Sequence, residues 1–384
     1  MRTITFLQPR VLTFGNGCLP DAVTYLRETP HTRIHILGSP SLSQTIEVLS
    51  GQLAHAGCSV TAQLAARAEP TIRDFNLALE TARNASPTCV LGIGGGSTLD
   101  LAKLVAAFVN STQRVEESFG IGLLRERTCG LVCMPTTSGT GSEASPNAIL
   151  LDEAAQLKKG VISPHLVPDA TFIDPSLTES VPPEVTAATG LDALTHCIEA
   201  YTNRHAHPLV DVYALEGVRL AARFLVRAVQ DGRDREAREG MARASLYGGL
   251  CLGPVNTAAV HALAYPLGGE FHLPHGLSNA VLLPAVFRFN AEAALERHAA
   301  VALALGAETG VDAMETAENG ARALEDLARA CGVEMDLEKH GLRRDAIPKM
   351  AEVALSVQRL LRNNPREVTL EAAQQIYAQC FGKS

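Results

Sequence analysis

The sequence predicts an α/β domain with a parallel, Rossmann-like sheet, followed by an all-α domain. Short apolar stretches alternate with amphipathic helical stretches in the first half of the chain, as in a doubly wound α/β fold. Beyond Asp174-Pro175 only helical periods follow. A Pro182-Pro183 pair marks the change, because the residue before a proline is disfavoured in a helix. We therefore expect an α/β domain at 1–181 and a helical domain at 182–384.

Each predicted element rests on its local pattern. In the first domain, apolar stretches predict strands at 33–38, 58–62, 88–93 and 130–134. The stretch from Thr88 to Ile93 is continuously apolar, as expected of a strand buried on both faces. Amphipathic helices are predicted between the strands at 41–56, 71–84 and 99–109. In the second domain, helical periods cover 184–202, 208–229, 237–251, 256–267, 277–290, 291–305, 313–331, 344–362 and 370–380.

The composition is typical of a globular enzyme and argues against several other classes. Hydrophobic residues make up 46% and charged residues 19% of the 384 residues. The net charge of −8 argues against nucleic acid as a partner. No apolar run approaches the roughly 18 residues of a membrane span, and the N-terminus has no apolar signal-peptide core. We therefore expect no membrane contact. The nine cysteines form no Cys-x-x-Cys pair, so we expect reduced thiols and a cytoplasmic location.

A glycine-rich turn joins a predicted strand to a predicted helix. Gly94, Gly95 and Gly96 follow the apolar strand, and Ser97 and Asp100 come directly after them. Glycine lets the backbone approach a pyrophosphate closely, and the N–H groups of a helix N-terminus bind anions. The turn matches neither the Gly-x-Gly-x-x-Gly fingerprint nor a P-loop. A tight turn without a ligand is therefore the alternative.

A second polar loop follows the next predicted strand. The segment from Pro135 to Glu143 is rich in glycine and in serine and threonine hydroxyls. Two polar loops at strand ends of one sheet can bind opposite ends of a dinucleotide. Together the loops indicate a nucleotide site more strongly than either does alone.

One carboxylate and three imidazoles indicate a divalent metal site. Asp192 and His196 are four residues apart in a predicted helix, which places both on one face, and His261 and His275 follow. A single histidine on an apolar helix is more often a core residue, but four polar groups in apolar segments favour ligation. The set suits Fe²⁺, Zn²⁺ or Mn²⁺ and not Cu⁺. Glu199, one turn further, either orients a ligand or only covers a helical face.

These motifs resemble the iron-containing, or group III metal-dependent, alcohol dehydrogenase family. The resemblance extends from Phe14 to Arg366 and is most specific at 94–100, 136–140, 190–196 and 274–276. It implies the dehydroquinate synthase-like fold of that family, in a homodimer or larger homo-oligomer. It also implies that the metal, Fe²⁺ first and Zn²⁺ as the alternative, is bound by Asp192, His196, His261 and His275.

The resemblance also implies a site for NAD or NADP. The implied cofactor-binding residues are Ser39, Gly94, Gly95, Gly96, Ser97, Asp100, Thr136, Thr137, Ser138, Thr140 and Lys158. Asn147 falls where the family often has a residue near the nicotinamide and the substrate. Tyr265 and His272 are further candidates for a catalytic role.

Two positions depart from the family pattern. The family frequently has a histidine four residues after the ligand that corresponds to His261, and this chain has Tyr265 there. Tyrosine, with an ordinary pKa of about 10, is a poor general base near neutral pH, which puts the family's proton route in doubt here. At Ser39 many NAD-preferring members have an aspartate that repels a 2′-phosphate. Serine lacks this charge, so we expect NADPH to be accepted.

We therefore expect a metal-dependent, NAD(P)-linked alcohol dehydrogenase or aldehyde reductase. In such an enzyme hydride passes between nicotinamide C4 and an alcohol or carbonyl held by the metal. A maleylacetate-reductase-like oxo-acid reductase is the first alternative, although the motifs around His261 and His275 show no arginine or lysine for an acid. A dehydroquinate-synthase-like lyase and a nucleotide-binding sensor without activity are the others.

Overall fold

The computed structural model describes residues 2–64, 69–155 and 157–382. Their internal contacts divide the chain into two units. The α/β unit contains Phe6–Thr137 and Gly141–Thr178. The helical unit contains the N-terminal residues up to Thr5, the short segment Ser138–Thr140 and the chain from Glu179 onwards. The expected domain bounds, 1–181 and 182–384, stay a prediction.

The α/β unit is built on a parallel sheet, as the sequence predicts. Its described strands are β1 (Val11–Phe14), β2 (Arg33–Gly38), β3 (Ser59–Leu64), β4 (Cys89–Gly94), β5 (Gly120–Ile121), β6 (Gly130–Pro135), β7 (Asn147–Asp152), β8 (Leu157–Ile162) and β9 (Ala170–Ile173). Six of them form one parallel sheet in the order β1-β9-β6-β4-β2-β3. The central strands β4 and β6 are buried along their whole length.

Helices cover both faces of this sheet, which explains the continuous apolar strands. They are α1 (Leu19–Glu28), α2 (Ser43–His55), α3 (Ile72–Ala85) and α4 (Gly96–Phe108). Alternate strand residues enter two separate cores. Leu91 and Met134 pack with the side of α1 and α2, whereas Val90 and Cys133 pack with the side of α3 and α4. The predicted doubly wound arrangement is confirmed.

A small second sheet is a feature that the sequence analysis did not predict. It has the order β5-β8-β7, and β7 runs antiparallel to β8. β5 has two residues, and β7 and β8, with six residues each, are only partly buried. Pairing with a neighbour, and not a strong local pattern, therefore stabilises them.

The helical unit contains ten described α-helices, and the predicted all-α character is confirmed. They are α5 (Pro183–Thr202), α6 (Pro208–Gln230), α7 (Arg235–Leu252), α8 (Ala259–Phe271), α9 (His275–Ala291), α10 (Leu295–Ala304), α11 (Ala313–Ala330), α12 (Ile347–Leu355), α13 (Gln358–Leu361) and α14 (Leu370–Gln379). Among the described helices, none is long and apolar enough to cross a membrane.

One predicted helix, at 344–362, is interrupted in the structure. The backbone leaves helical geometry at Val357, with ψ of 50°. The hydroxyl of Ser356 donates to the carbonyl oxygen of Val353 at 2.6 Å, which competes with continued helix bonding. The break separates α13 from α12, and α13 packs against α8.

Candidate metal centre and nucleotide-binding turn

Three helices supply the four candidate metal ligands. Asp192 and His196 lie one turn apart on α5, and both are buried. Nearly every face of α5 is buried, so a polar side chain on it needs a polar partner inside the protein. His261 lies on α8, and His275 is the first residue of α9, directly after Pro274.

The three imidazoles face one oxygen of the aspartate. Oδ1 of Asp192 lies 3.5 Å from Nε2 of His261 and 3.7 Å from Nε2 of His275. The distance from the same oxygen to Nε2 of His196 is 3.8 Å. In a tetrahedral site with metal–ligand bonds of about 2.1 Å, neighbouring ligand atoms are about 3.4 Å apart. The ligand atoms of Asp192, His261 and His275 all lie within 4.8 Å of one another and so fit one divalent ion, whereas His196 would have to shift to join them.

Glu199 binds the opposite side of the His261 ring. Its Oε2 lies 2.6 Å from Nδ1 of His261, and its carboxylate also accepts the backbone N–H groups of Ala258 and Val260, at 3.0 and 2.6 Å. A carboxylate at Nδ1 orients the ring and leaves Nε2 to face a metal. Of the two interpretations of Glu199, this geometry favours ligand orientation.

Asn279 is a site residue that sequence reasoning missed. It is fully buried on α9, and its Nδ2 donates to Oδ1 of Asp192 at 2.7 Å. The same nitrogen lies 3.2 Å from Nε2 of His261 and 3.3 Å from Nε2 of His275. Its position one turn after His275 is the signal that could have identified it. The amide holds the aspartate carboxylate against the imidazoles.

Burial and neighbouring charges set the protonation of the cluster. Burial alone would raise the pKa of Asp192, but the imidazoles of His196, His275 and His261 hold that pKa well below its usual range. Burial lowers the pKa of His196. Burial would also lower the pKa of His261, but Glu199 and Asp192 raise it to about 9. Asp192 is therefore an anion at neutral pH, and a divalent ion would displace the Nε2 proton of His261.

The cluster is accessible on one side. The side chain of His275 is 31% exposed, whereas those of His196 and His261 are each 6% exposed and that of Asp192 is 3% exposed. A substrate oxygen would therefore approach the ligand set beside His275.

Tyr265 lies one turn after His261 and contacts an arginine. The ring is 7% exposed, and its hydroxyl accepts a hydrogen bond from the guanidinium of Arg359 on α13. Cζ of Arg359 is 5.7 Å from the ring centroid. The motifs around His261 and His275 contain no arginine or lysine, but the fold brings an arginine to this helix from 94 positions away.

The other two catalytic candidates lie at an exposed helix end and in the α/β unit. His272 is exposed and ends α8 in a left-handed backbone conformation, with φ of 56°. Asn147 begins β7, and its side-chain Oδ1 is buried without a hydrogen-bond partner among the described residues. Catalytic roles for both residues stay predictions.

The glycine-rich turn has the geometry of an anion-binding helix N-terminus. β4 ends at Gly94 and α4 begins at Gly96, and the N-cap residue Gly95 has no side chain to cap the helix. A Cβ atom at Gly94 would lie 2.7 Å from Cβ of Thr98, so the turn requires glycine there. The backbone at this helix start, beside Ser97, therefore fits a pyrophosphate.

The start of the second polar loop lies against this turn. The backbone N–H of Thr136 donates to the carbonyl oxygen of Gly94 at 2.9 Å. The side chain of Thr137 lies 3.4 Å from the position that a Cβ atom would occupy on Gly95. Residues Ser138–Thr140 continue the loop and have most of their contacts within the helical unit.

Asp100 and Lys103 hold the end of the second loop. Asp100 accepts the hydroxyl of Ser142 at 2.5 Å and the backbone N–H of Ile149 at 2.9 Å. The fully buried Lys103 donates to the carbonyl oxygens of Ser142 and Ser145, both at 2.9 Å. Burial raises the pKa of Asp100 and lowers the pKa of Lys103. These contacts identify Asp100 as a support of the loop, and its contact with a cofactor stays a prediction.

Ser39 and Lys158 occupy two other parts of the α/β unit. Ser39 directly follows β2, and its backbone N–H donates to the carbonyl oxygen of Ile93 at 3.0 Å. It therefore lies beside the strand end that leads into the glycine-rich turn. Lys158 on β8 forms an ion pair with Glu69 at 2.5 Å. Its predicted contact with a cofactor is not tested by this pairing.

Fold and site together define a class of protein. A parallel α/β unit with a glycine-rich helix N-terminus is typical of nucleotide-binding proteins. The helical unit brings one carboxylate and two imidazoles to the spacing of a metal site, with the imidazole of His196 beside them. Residues 9–175 match the iron-containing alcohol dehydrogenase family, and residues 186–381 match the C-terminal region of the Fe-containing alcohol dehydrogenase family. The chain belongs to the iron-containing alcohol dehydrogenase family.

Individual relatives agree with this assignment. Long-chain-alcohol dehydrogenase 1 of Geobacillus thermodenitrificans is 35% identical over 381 residues, which cover 97% of this chain and 95% of the relative. The crystal structure of a 1,3-propanediol oxidoreductase has a TM-score of 0.95 at 31% identity and covers 99% of this chain and 100% of its own. Sulfoacetaldehyde reductase from Bifidobacterium kashiwanohense, solved with NAD⁺, has a TM-score of 0.89 at 26% identity and covers 100% of both chains. The chain is an oxidoreductase that acts on CH–OH groups.

Proposed function

We propose that this enzyme interconverts primary alcohols and aldehydes with NAD or NADP, using Fe²⁺ held by Asp192, His196, His261 and His275. The observation that carries the proposal is the convergence of three Nε2 atoms within 3.5–3.8 Å of one aspartate oxygen. Zn²⁺ is the second candidate, because the same nitrogen and oxygen ligands suit both ions.

Each part of the site has a separate task in this reaction. A divalent ion, when bound, supplies a Lewis acid that polarises the substrate oxygen. Asp192 contributes the negative charge of the ligand set, and Glu199 keeps the His261 ring in its ligating orientation. The burial of Asp192, His196 and His261 limits water at the reacting atoms. The side chains therefore position and dehydrate the reactants.

We assign the cofactor to the glycine-rich turn and the second loop. The uncapped start of α4 would hold the pyrophosphate, and Thr136 and Thr137 lie beside it. Ser39, at the end of β2, would face the adenosine ribose. Because serine adds no negative charge there, we propose that the enzyme accepts NADPH as well as NADH.

Tyr265 is proposed as a hydrogen-bond donor and not as a general base. Its hydroxyl accepts a hydrogen bond from Arg359, which leaves the phenolic proton free to point toward another acceptor. Within the part of the chain that the structure describes, the exposed His272 has no contact that supports a specific step. A homo-oligomeric assembly and a cytoplasmic location are further proposals, which rest on the family resemblance.

A reconstitution experiment tests the proposal. The protein would be stripped of metal, reloaded separately with Fe²⁺ and Zn²⁺, and assayed by nicotinamide absorbance on a panel of alcohols and aldehydes with both cofactors. We expect turnover with at least one metal and none in the stripped protein. His261→Ala should abolish metal retention and turnover, whereas His55→Ala, at an exposed position of α2, should retain both. Full turnover by a verified metal-free preparation would overturn the proposal.

A further inference from the structure

We propose that Arg359 forms an anion subsite beside the metal centre. The subsite would recognise short alcohols and aldehydes that carry a carboxylate, sulfonate or phosphate group at the opposite end. This inference rests on the proposed function, because it names the class of substrate that the same site prefers.

The first argument is position. Tyr265 lies one turn after the ligand His261 on α8, and side chains at this spacing have Cβ atoms about 5–6 Å apart. Arg359 donates to the hydroxyl of Tyr265, and its guanidinium lies against that ring. The cation is therefore one side chain away from a residue that neighbours the ligand set.

The second argument is charge. Among the described residues, the side chain of Arg359 has no carboxylate partner, and Tyr265 is its one hydrogen-bond acceptor. Two other half-buried arginines of this unit are paired with carboxylates, Arg297 with Asp211 and Arg288 with Glu318. A guanidinium has five N–H donors, and a neutral phenol neither uses them all nor balances the charge. Arg359 therefore has free donors and an uncompensated charge for an anion.

The third argument is rigidity. Nδ2 of Asn363 donates to the carbonyl oxygen of Thr257 at 2.8 Å. The same nitrogen lies 3.4 Å from the backbone carbonyl oxygen of Arg359. Thr257 immediately precedes Ala258, whose backbone N–H binds Glu199. The backbone that carries Arg359 is thus tied to the same segment that orients His261. A cation held this way offers a fixed distance between an anionic group and the reacting carbon.

The fourth argument is that nearby carboxylates are already engaged. Glu199 accepts three N–H groups, and Asp192 faces the imidazoles and Asn279. Glu270, at the far end of α8, is paired with Lys349 at 2.6 Å. None of these three carboxylates pairs with Arg359, so none of them competes with an anionic substrate group for the guanidinium.

The test compares an anionic aldehyde with a neutral one of equal carbon number, succinic semialdehyde and butanal. We expect Arg359→Gln to lower kcat/KM for succinic semialdehyde at least ten-fold and to change that for butanal less than three-fold. Arg359→Lys, which keeps the charge, should retain part of the preference. The matched control is Arg362→Gln, which removes an exposed positive charge three residues further on and should change neither value.

A binding measurement separates this inference from the proposed function. Calorimetry would measure the affinity of the metal-loaded enzyme for succinate, which involves no turnover. Binding that weakens at least ten-fold in Arg359→Gln, with an unchanged melting temperature, supports the subsite. Equal losses on both aldehydes, or wild-type protein that does not bind succinate, would overturn it. Turnover of butanal without preference for the anion refutes the subsite alone, whereas failure on every alcohol and aldehyde refutes the proposed function.

Discussion

Oε2 of Glu199 and Nδ1 of His261 lie 2.6 Å apart, although 62 positions separate the two residues in the chain. Both side chains are almost completely buried. The backbone N–H groups of Ala258 and Val260 hold the same carboxylate, so the glutamate cannot rotate away without losing three hydrogen bonds. The orientation of one metal ligand is therefore fixed by a residue outside the ligand set.

Replacing this carboxylate should weaken metal binding. In Glu199→Gln the amide retains one acceptor oxygen, but its NH₂ group opposes the N–H donors of the backbone. The negative charge beside the His261 ring is also lost. We expect the affinity for Zn²⁺ to fall about 10- to 100-fold, measured by competition with a chromogenic chelator. Glu143→Gln, the same change at a buried glutamate of the α/β unit, is the control and should bind Zn²⁺ like the wild type. Equal affinities of all three proteins would contradict the positioning role.

The site shows which features a sequence pattern can predict. Asp192 and His196 were predictable because helical spacing places them on one face, and the glycine-rich turn was predictable because consecutive glycines stand between a strand and a helix. Asn279 and Arg359 were not, since their contacts depend on how α9 and α13 pack against other helices. The β7–β8 pair was missed for the same reason, because tertiary pairing stabilises it.

A glycine beside a ligand controls how closely two ligand-bearing helices approach. A Cβ atom at Gly276, directly after His275, would lie 2.2 Å from the backbone oxygen of Ala188 on α5. Because backbone has little room to move, Gly276→Ala should push α9 away from α5 and separate His275 from Asp192. We expect the melting temperature to fall, with a loss of about 1–3 kcal/mol, and metal content after dialysis to fall at least ten-fold.

The control for this variant is Gly51→Ala. Gly51 lies inside α2, and nothing is within 4 Å of the Cβ position. This change should leave metal content unaltered and be neutral or slightly stabilising. A Gly276→Ala protein with wild-type stability and full metal content would show that α9 tolerates the displacement.

Glu143 should make the stability of the protein depend on pH. It is 2% exposed, and burial raises its pKa to about 7, partly opposed by its own backbone N–H and by Lys103. The folded state holds this proton more tightly than the unfolded chain, whose glutamate pKa is near 4.5. The stability that the protonated Glu143 contributes is therefore present at low pH and is lost as pH rises toward and through 7. Its upper bound is on the order of 3 kcal/mol.

Melting temperatures between pH 5 and pH 8.5 measure this contribution. Glu143→Gln removes the titrating group, so we expect its melting temperature to fall less over this range than that of the wild type. From pH 5 to pH 8.5 the melting temperature of the variant should therefore rise by a few degrees relative to that of the wild type. Glu80→Gln, at an exposed position of α3, is the control and should follow the wild-type profile. Parallel curves for wild type and Glu143→Gln would exclude Glu143 as the cause.

Ser39 should determine how the enzyme discriminates between the two nicotinamide cofactors. The residue has an extended backbone, with φ of −73° and ψ of 139°, at the end of β2, and its hydroxyl lies 3.1 Å from that of Ser41. An aspartate fits this conformation. Its carboxylate would repel a 2′-phosphate and would accept a hydrogen bond from the 2′-hydroxyl of NADH. We expect Ser39→Asp to lower the ratio of kcat/KM for NADPH to that for NADH at least ten-fold. Ser39→Asn matches the size without the charge and should shift the ratio by much less. If Ser39→Asp leaves the ratio unchanged, the ribose of the bound cofactor does not face this residue.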